Sequence, residues 1–141
     1  PEKTASEFRA DGFFITGDLG LIDSDGYLNL VGRAKDLIIS GGLNVYPAEL
    51  EALIDAVPGV AESAVIGLPH ADFGEAVTAV VVPRPGAEVT SAQVMAAFDG
   101  AVARFKQPKR VLFRDSLPRN TMGKIQKVQL RAEYGDTYAK A

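Results

Sequence analysis

The chain contains no cysteine. That absence excludes a disulfide framework, a thiolate metal site and a cysteine nucleophile. It fits a reducing compartment, and the cytoplasm is the expected location. Histidine is almost absent too. His70 stands alone in a turn after Pro69, and one histidine without cysteine partners makes no metal site, so no metal ligands are expected. No serine sits in a Gly-x-Ser-x-Gly elbow, which removes a hydrolase triad. No run of about 18 apolar residues occurs, so no membrane span is expected. The N-terminus lacks a basic stretch followed by an apolar core and does not read as a signal peptide. It opens on Pro1 without an initiator methionine, and a fragment of a longer protein is the expectation.

What is present is ordinary in bulk. The 47% hydrophobic and 23% charged residues suit a soluble globular chain. A length of 141 residues allows one domain, or one small domain plus part of another. The net charge of −3 hides an asymmetry. Arg104, Lys106, Lys109, Arg110, Arg114, Arg119, Lys124, Lys127 and Arg131 crowd a stretch whose one anion is Asp115. A basic final third on an acidic chain suggests a small polyanionic ligand rather than a nucleic-acid track. Aromatic residues are few there and not interleaved as stacking platforms, which argues against single-strand binding.

Pattern places the elements. A short helix is expected between Ser6 and Phe14. Leu19–Ile22 and Tyr27–Val31 flank an Asp25–Gly26 turn and read as a β-hairpin. Leu37–Ser40 is a third short strand, interrupted by Gly41–Gly42. Pro47 suits the first position of a helix, along which Leu50, Leu53, Ile54 and Val57 form one apolar stripe. Val60–Leu68 and Glu75–Val82 are β-branched strands. Thr90 and Gln93 carry a capping-box signature for a helix presenting Val94, Ala97, Phe98, Ala101, Val102 and Phe105. Lys109–Phe113 reads as a strand and Gln126–Tyr134 as a last helix. The fold class is α/β (α+β). Helices flank a small sheet of about three strands, preceded by a hairpin-rich segment, with a break near Lys35.

The loop from Leu117 to Lys127 joins a proline, a glycine and several cations. A lysine at a glycine-containing loop tip can reach a phosphate or carboxylate as a point charge. It is not a Walker loop. Pro118 stands where the first glycine belongs, and Ile125 replaces the Ser or Thr after the lysine. Ser40–Gly41–Gly42 is by itself only a turn signal.

In order, however, the segments are specific together. Thr16–Gly17–Asp18 precedes Gly32–Arg33–Ala34–Lys35–Asp36. Ser40–Gly41–Gly42 and Asn44–Val45–Tyr46–Pro47–Ala48–Glu49–Leu50–Glu51 follow. Pro118–Arg119–Asn120–Thr121–Met122–Gly123–Lys124 closes the series. The whole chain resembles the C-terminal part of the adenylate-forming enzymes, which include acyl-CoA synthetases, peptide-synthetase adenylation domains and luciferases. Within that family, Phe13–Asp18, Asp72–Glu75, Arg104–Lys109 and Leu117–Lys127 look most like malonyl-CoA synthetases.

The resemblance implies an acyl-CoA ligase using ATP, Mg2+ and CoA. A small carboxylic acid such as malonate would become an acyl-adenylate with release of pyrophosphate, and CoA would then displace AMP. It implies that residues 1–34 are the tail of a large N-terminal adenylation domain and that residues 35–141 are a mobile lid. Asp18 matches the ribose-binding aspartate and Arg33 the arginine near ribose and phosphates. Lys35 matches the hinge, Gly41 and Gly42 the loop lining the pantetheine tunnel, and Lys124 the catalytic lysine of adenylation. Two positions depart from some relatives. Leu37–Ile38–Ile39 carries no second lysine, and Leu43 replaces an arginine after the glycines. The Pro118-to-Lys124 spacing also resembles the motif read by protein lysine acetyltransferases. Two other readings stay open: a stand-alone interaction module modified by such an enzyme, and the peptide-synthetase branch. The fragment alone is expected to be inactive, with residues 1–34 marginally ordered.

Overall fold

The computed structural model describes residues 2–139. It divides into two compact units, residues 2–35 and 36–139. The first unit holds helix α1 (Glu2–Glu7) and the antiparallel strands β1 (Asp18–Ile22) and β2 (Leu28–Arg33). The hairpin turns as its Asp-Gly pair predicts. Asp23 accepts the Gly26 N–H through its carbonyl, while its carboxylate accepts the N–H groups of Asp25 and Tyr27. The helix lies earlier than the expected 6–14. The Asp11–Gly12 turn folds Phe14 back against Phe8, with the two rings 5.1 Å apart, so that stretch cannot be helical.

The second unit is a five-stranded sheet with helices on both faces. Its strands are β3 (Ile38–Ser40), β4 (Leu43–Val45), β5 (Val60–His70), β6 (Gly74–Pro83) and β7 (Arg110–Phe113). β5 and β6 form the long antiparallel centre, and β7 joins β6 in parallel. Strict alternation sorts the side chains. Val65, Val77, Ala79 and Val81 face one cluster with Leu50, Ile54, Val94 and Phe98. Ala64, Ile66, Leu68, Val80 and Val82 face the other with Leu117 and Leu130. Helices α2 (Pro47–Asp55) and α3 (Ser91–Ala96) supply the first cluster, and α4 (Lys127–Glu133) the second. Burial on both faces explains why β5 and β6 read as near-continuous apolar runs.

The sheet has two strands more than the expected three. β3 and β4 are three residues each, too short to show alternation. Gly41 and Gly42 do not interrupt them but join them, with Ser40 paired to Leu43. Their φ angles of 58° and 80° suit the two central positions of a primed hairpin turn, which glycine takes most readily. α3 keeps its Thr90 capping box but ends at Ala96, before Phe98. The Asp99–Gly100 pair turns the chain there, and Phe105 falls in a separate 3-10 turn over Arg104–Lys106. No helix among the described residues is long and apolar enough to cross a membrane.

Candidate functional site

Antiparallel register brings Asp18 opposite Arg33 across β1 and β2. Arg33 Nε lies 3.2 Å from Asp18 Oδ1, and both side chains remain partly open to solvent. Thr16, Gly17, Arg33, Ala34 and Lys35 line one concavity of about 400 Å³ in this unit. The Ala34 N–H donates to the Gly17 carbonyl at 2.8 Å, which holds the Arg33–Lys35 segment beside the start of β1. Residues distant in sequence thus share a pocket because one hairpin register aligns them.

In the second unit, Lys124 sits on a loop built by side-chain capping. Arg119 and Ile125 form an isolated antiparallel bridge. Inside it, Asn120 Oδ1 accepts the N–H groups of Met122 at 3.0 Å and Lys124 at 2.9 Å. The backbone N–H of Asn120 in turn donates to the Lys124 carbonyl at 2.9 Å. Arg119 donates through Nη1 to the Gly123 carbonyl at 2.7 Å and through Nη2 to Glu62 of β5. Such local side-chain bonds replace ladder bonds and hold an exposed loop in one shape. Lys124 is exposed and makes no ion pair among the described residues.

Most neighbouring cations are occupied. Lys106 pairs with Glu49, Arg114 with Glu133 and Lys127 with Glu51. Lys109 lies over the Phe73 ring and Arg110 over Tyr138. Glu133 beside Arg114 raises the guanidinium pKa further above its ordinary value. Much of the basic final third is therefore internal wiring to acids of α2, α4 and β5. The pairings were invisible in sequence because the partners lie far away along the chain.

The glycine turn and the lysine loop hang on opposite ends of β5. Ser40 pairs with Gly74, whose partner on β5 is His70, whereas Arg119 pairs with Glu62. From Glu62 to His70 the strand rises roughly 26 Å at about 3.3 Å per residue. The unit therefore carries its two candidate segments, Gly41–Gly42 and the Lys124 loop, at separate edges. His70 donates no metal geometry: its Nδ1 accepts the Asp72 N–H, and its ring packs on Phe73 and Tyr138. Among the described residues no group of three or more His, Cys, Asp or Glu side chains could hold a metal ion.

A family profile described as the AMP-binding enzyme C-terminal domain matches residues 49–124, more than half of the chain. The chain belongs to this family. Its fold is that of the C-terminal domain of adenylate-forming enzymes. This C-terminal domain is 65% identical to the chain in the crystal structure of ATP-bound MatB from Rhodopseudomonas palustris, with a TM-score of 0.87. That match covers 98% of this chain and 27% of MatB. The o-succinylbenzoate CoA synthetase MenE from Bacillus subtilis, solved with its acyl-adenylate intermediate, is 35% identical with a TM-score of 0.84. The match covers 93% of this chain and 27% of MenE. The long-chain-fatty-acid–CoA ligase FadD13 of Mycobacterium tuberculosis is 49% identical over 140 residues, 99% of this chain and 27% of FadD13. The chain thus spans about a quarter of the length of these relatives.

Proposed function

We propose that this chain is the C-terminal portion of an ATP-dependent, AMP-forming acyl-CoA ligase acting in the cytoplasm. The observation that carries the reading is the pair of functional edges at opposite ends of β5, one bearing Lys124 and the other Gly41–Gly42. A reaction with two chemically different steps can use such a body twice, once in each orientation, if it turns about a hinge. Lys35, at the boundary between the two units, takes the hinge role.

In the first step the Lys124 ammonium stabilises charge growing on the α-phosphate of ATP as carboxylate attacks and pyrophosphate leaves. Its lack of an ion pair among the described residues leaves that charge available, and the Asn120 cap fixes the backbone that carries it. Asp18 has one oxygen on Arg33 and keeps acceptor capacity for ribose hydroxyls, while the Arg33 guanidinium can face phosphate. The chain has no evident magnesium cradle among the described residues. The ion would arrive with the triphosphate, where it neutralises phosphate charge. In the second step Gly41 and Gly42 leave space for the pantetheine arm of CoA.

Residues 1–34 are read as the tail of the larger adenylation domain, which would cover their apolar side chains. Malonate is the proposed acid, supported by 65% identity to the malonyl-CoA synthetase MatB against 49% to the fatty-acyl ligase. The exposed Lys124 also fits reversible acetylation by a protein lysine acetyltransferase, which would abolish the charge that adenylation needs. Treatment with such an enzyme and acetyl-CoA, followed by peptide mapping, should find Lys124 modified; an unmodified lysine overturns that part.

The deciding experiment is pyrophosphate release by the full-length enzyme with CoA and malonate, methylmalonate, acetate or longer acids. Malonate should be preferred; activity on amino acids only would move the chain to the peptide-synthetase branch. Lys124→Ala should lower adenylation about 100- to 1,000-fold, the usual cost of losing one transition-state contact. It should spare thioester formation from preformed acyl-adenylate. Equal loss in both half-reactions overturns the assignment.

A further inference from the structure

The β3–β4 hairpin is fastened to the sheet by very little backbone. β3 meets β6 at one residue pair, Ser40 with Gly74. The Gly41 N–H adds one bond to the Phe73 carbonyl at 2.9 Å. One residue before Ser40, the ladder is continued by a side chain. The Ile39 N–H donates to Glu75 Oε2 at 2.8 Å. A carboxylate here stands in for a strand carbonyl, and as a charged acceptor it makes the stronger bond.

Glu75 reaches Ile39 through a gap prepared for it. Gly67 is buried on β5, diagonal to Glu75 across the β5–β6 pair. A Cβ placed on Gly67 would lie 2.9 Å from Glu75 Oε1, 3.0 Å from its Cδ and 3.0 Å from Ile38 Cγ2. Any side chain at 67 would push the carboxylate, or β3 itself, out of place. Unlike Gly41 and Gly42, Gly67 has no left-handed backbone angle to explain it. Its lack of a side chain serves the space that Glu75 and Ile38 occupy.

We propose that Glu75, seated over Gly67, is a positioning residue that pins β3 and thereby sets the Gly41–Gly42 turn. β3 is the first strand after Lys35, so this pin ties the strand leaving the hinge to the body that must move with it. The consequence is selective. Glu75 supports the step that uses the glycine turn, and it is remote from the Arg119–Glu62 anchor of the lysine loop at the other end of β5. This proposal rests on the reading of Gly41–Gly42 given above.

The test compares Glu75→Ala, Glu75→Gln and Gly67→Ala in the full-length enzyme. ATP–pyrophosphate exchange reports adenylation, and acyl-CoA formation from preformed acyl-adenylate reports the CoA step with its KM. Losing a hydrogen bond to a charged group typically costs about tenfold to a hundredfold. Glu75→Ala should impair the CoA step by about that factor, while exchange stays within about twofold. Glu75→Gln, which keeps a carbonyl acceptor, should restore most of the loss, and Gly67→Ala should reproduce it. Equal impairment of both steps in a folded variant, or of neither, overturns the proposal. Amide exchange in the 141-residue chain gives an arm independent of activity. Gly67→Ala should speed exchange at Ile39, and unchanged protection there overturns the pin. If the wild-type enzyme adenylates no acid, the functional reading fails, while the Ile39 result still judges the pin.

Discussion

The two units use similar residues to opposite effect. Residues 2–35 contain Phe8, Phe13, Phe14, Leu21, Ile22, Leu28 and Leu30, yet none of the residues in this stretch is buried. Residues 36–139 bury Phe98, Ile66, Leu50 and Leu130 completely. Hairpin register and turn chemistry are satisfied in the first unit, so its backbone has what local rules require. It lacks a second layer to receive its apolar side chains. The body has three layers, two of helix around one of sheet, and its alternating strands fill both clefts. Hydrophobic content is therefore a poor guide to a core unless there is a partner surface to complete it.

That contrast can be broken most directly at Phe98. Phe98→Ala should destabilise the chain by about 3–5 kcal/mol, the cost of a cavity in a close-packed interior, measured by urea denaturation. A loss below about 1 kcal/mol would mean the body is not the packed element it looks. Thr90→Ala should cost about 1 kcal/mol in the same assay, because the hydroxyl that accepts the Gln93 N–H is lost, while the backbone N–H of residue 90 can still donate to the Gln93 side chain. Leu28→Ala should change stability by less than about 0.5 kcal/mol, since the residue is 65% exposed. A cost like that of Phe98 would show that the hairpin is buried in solution.

The smallest expected effect concerns the hairpin turn. Asp23 has a pKa below its ordinary 3.8, first because the Tyr27 N–H donates to its carboxylate and then because Asn29 does. A depressed folded value means the contribution is complete above about 3.8 and fades as pH falls through the lower folded value. An NMR titration of the Asp23 carboxyl should therefore give a midpoint below 3.8. A midpoint at or above it would mean the turn is not formed.

Legibility followed sequence distance. The Asp25–Gly26 turn, the Thr90–Gln93 box, the Pro47 helix start and the β5–β6 runs were all readable, because the deciding groups lie within a few residues of one another. The α3 end was misread because an apolar stripe continues past the Asp99–Gly100 turn. β4 was missed because a three-residue strand carries too little pattern. For the candidate site, the family motifs singled out Asp18, Arg33, Lys35, Gly41, Gly42 and Lys124. Glu62 and Gly67 left no such trace, and Glu75 stood only at the end of the Asp72–Glu75 stretch, with no role attached. Asn120 offered one signal, as an Asx residue shortly before a glycine, and that signal marks a turn without saying what it holds.

Local chemistry in the chain was enough to indicate its α/β class and the residues available for charge and turning, because propensity, capping and turn preference act over a few residues; its family was legible through the resemblance of its ordered motifs. Spatial pairing was needed for the rest: the Asp18–Arg33 contact, the lack of an ion pair at Lys124 among the described residues, and the placement of the lysine loop and glycine turn at opposite ends of β5. Those depend on strand register and on which distant acid meets which cation. Such contacts form only when the sheet brings far segments together, and no short stretch of sequence contains both partners.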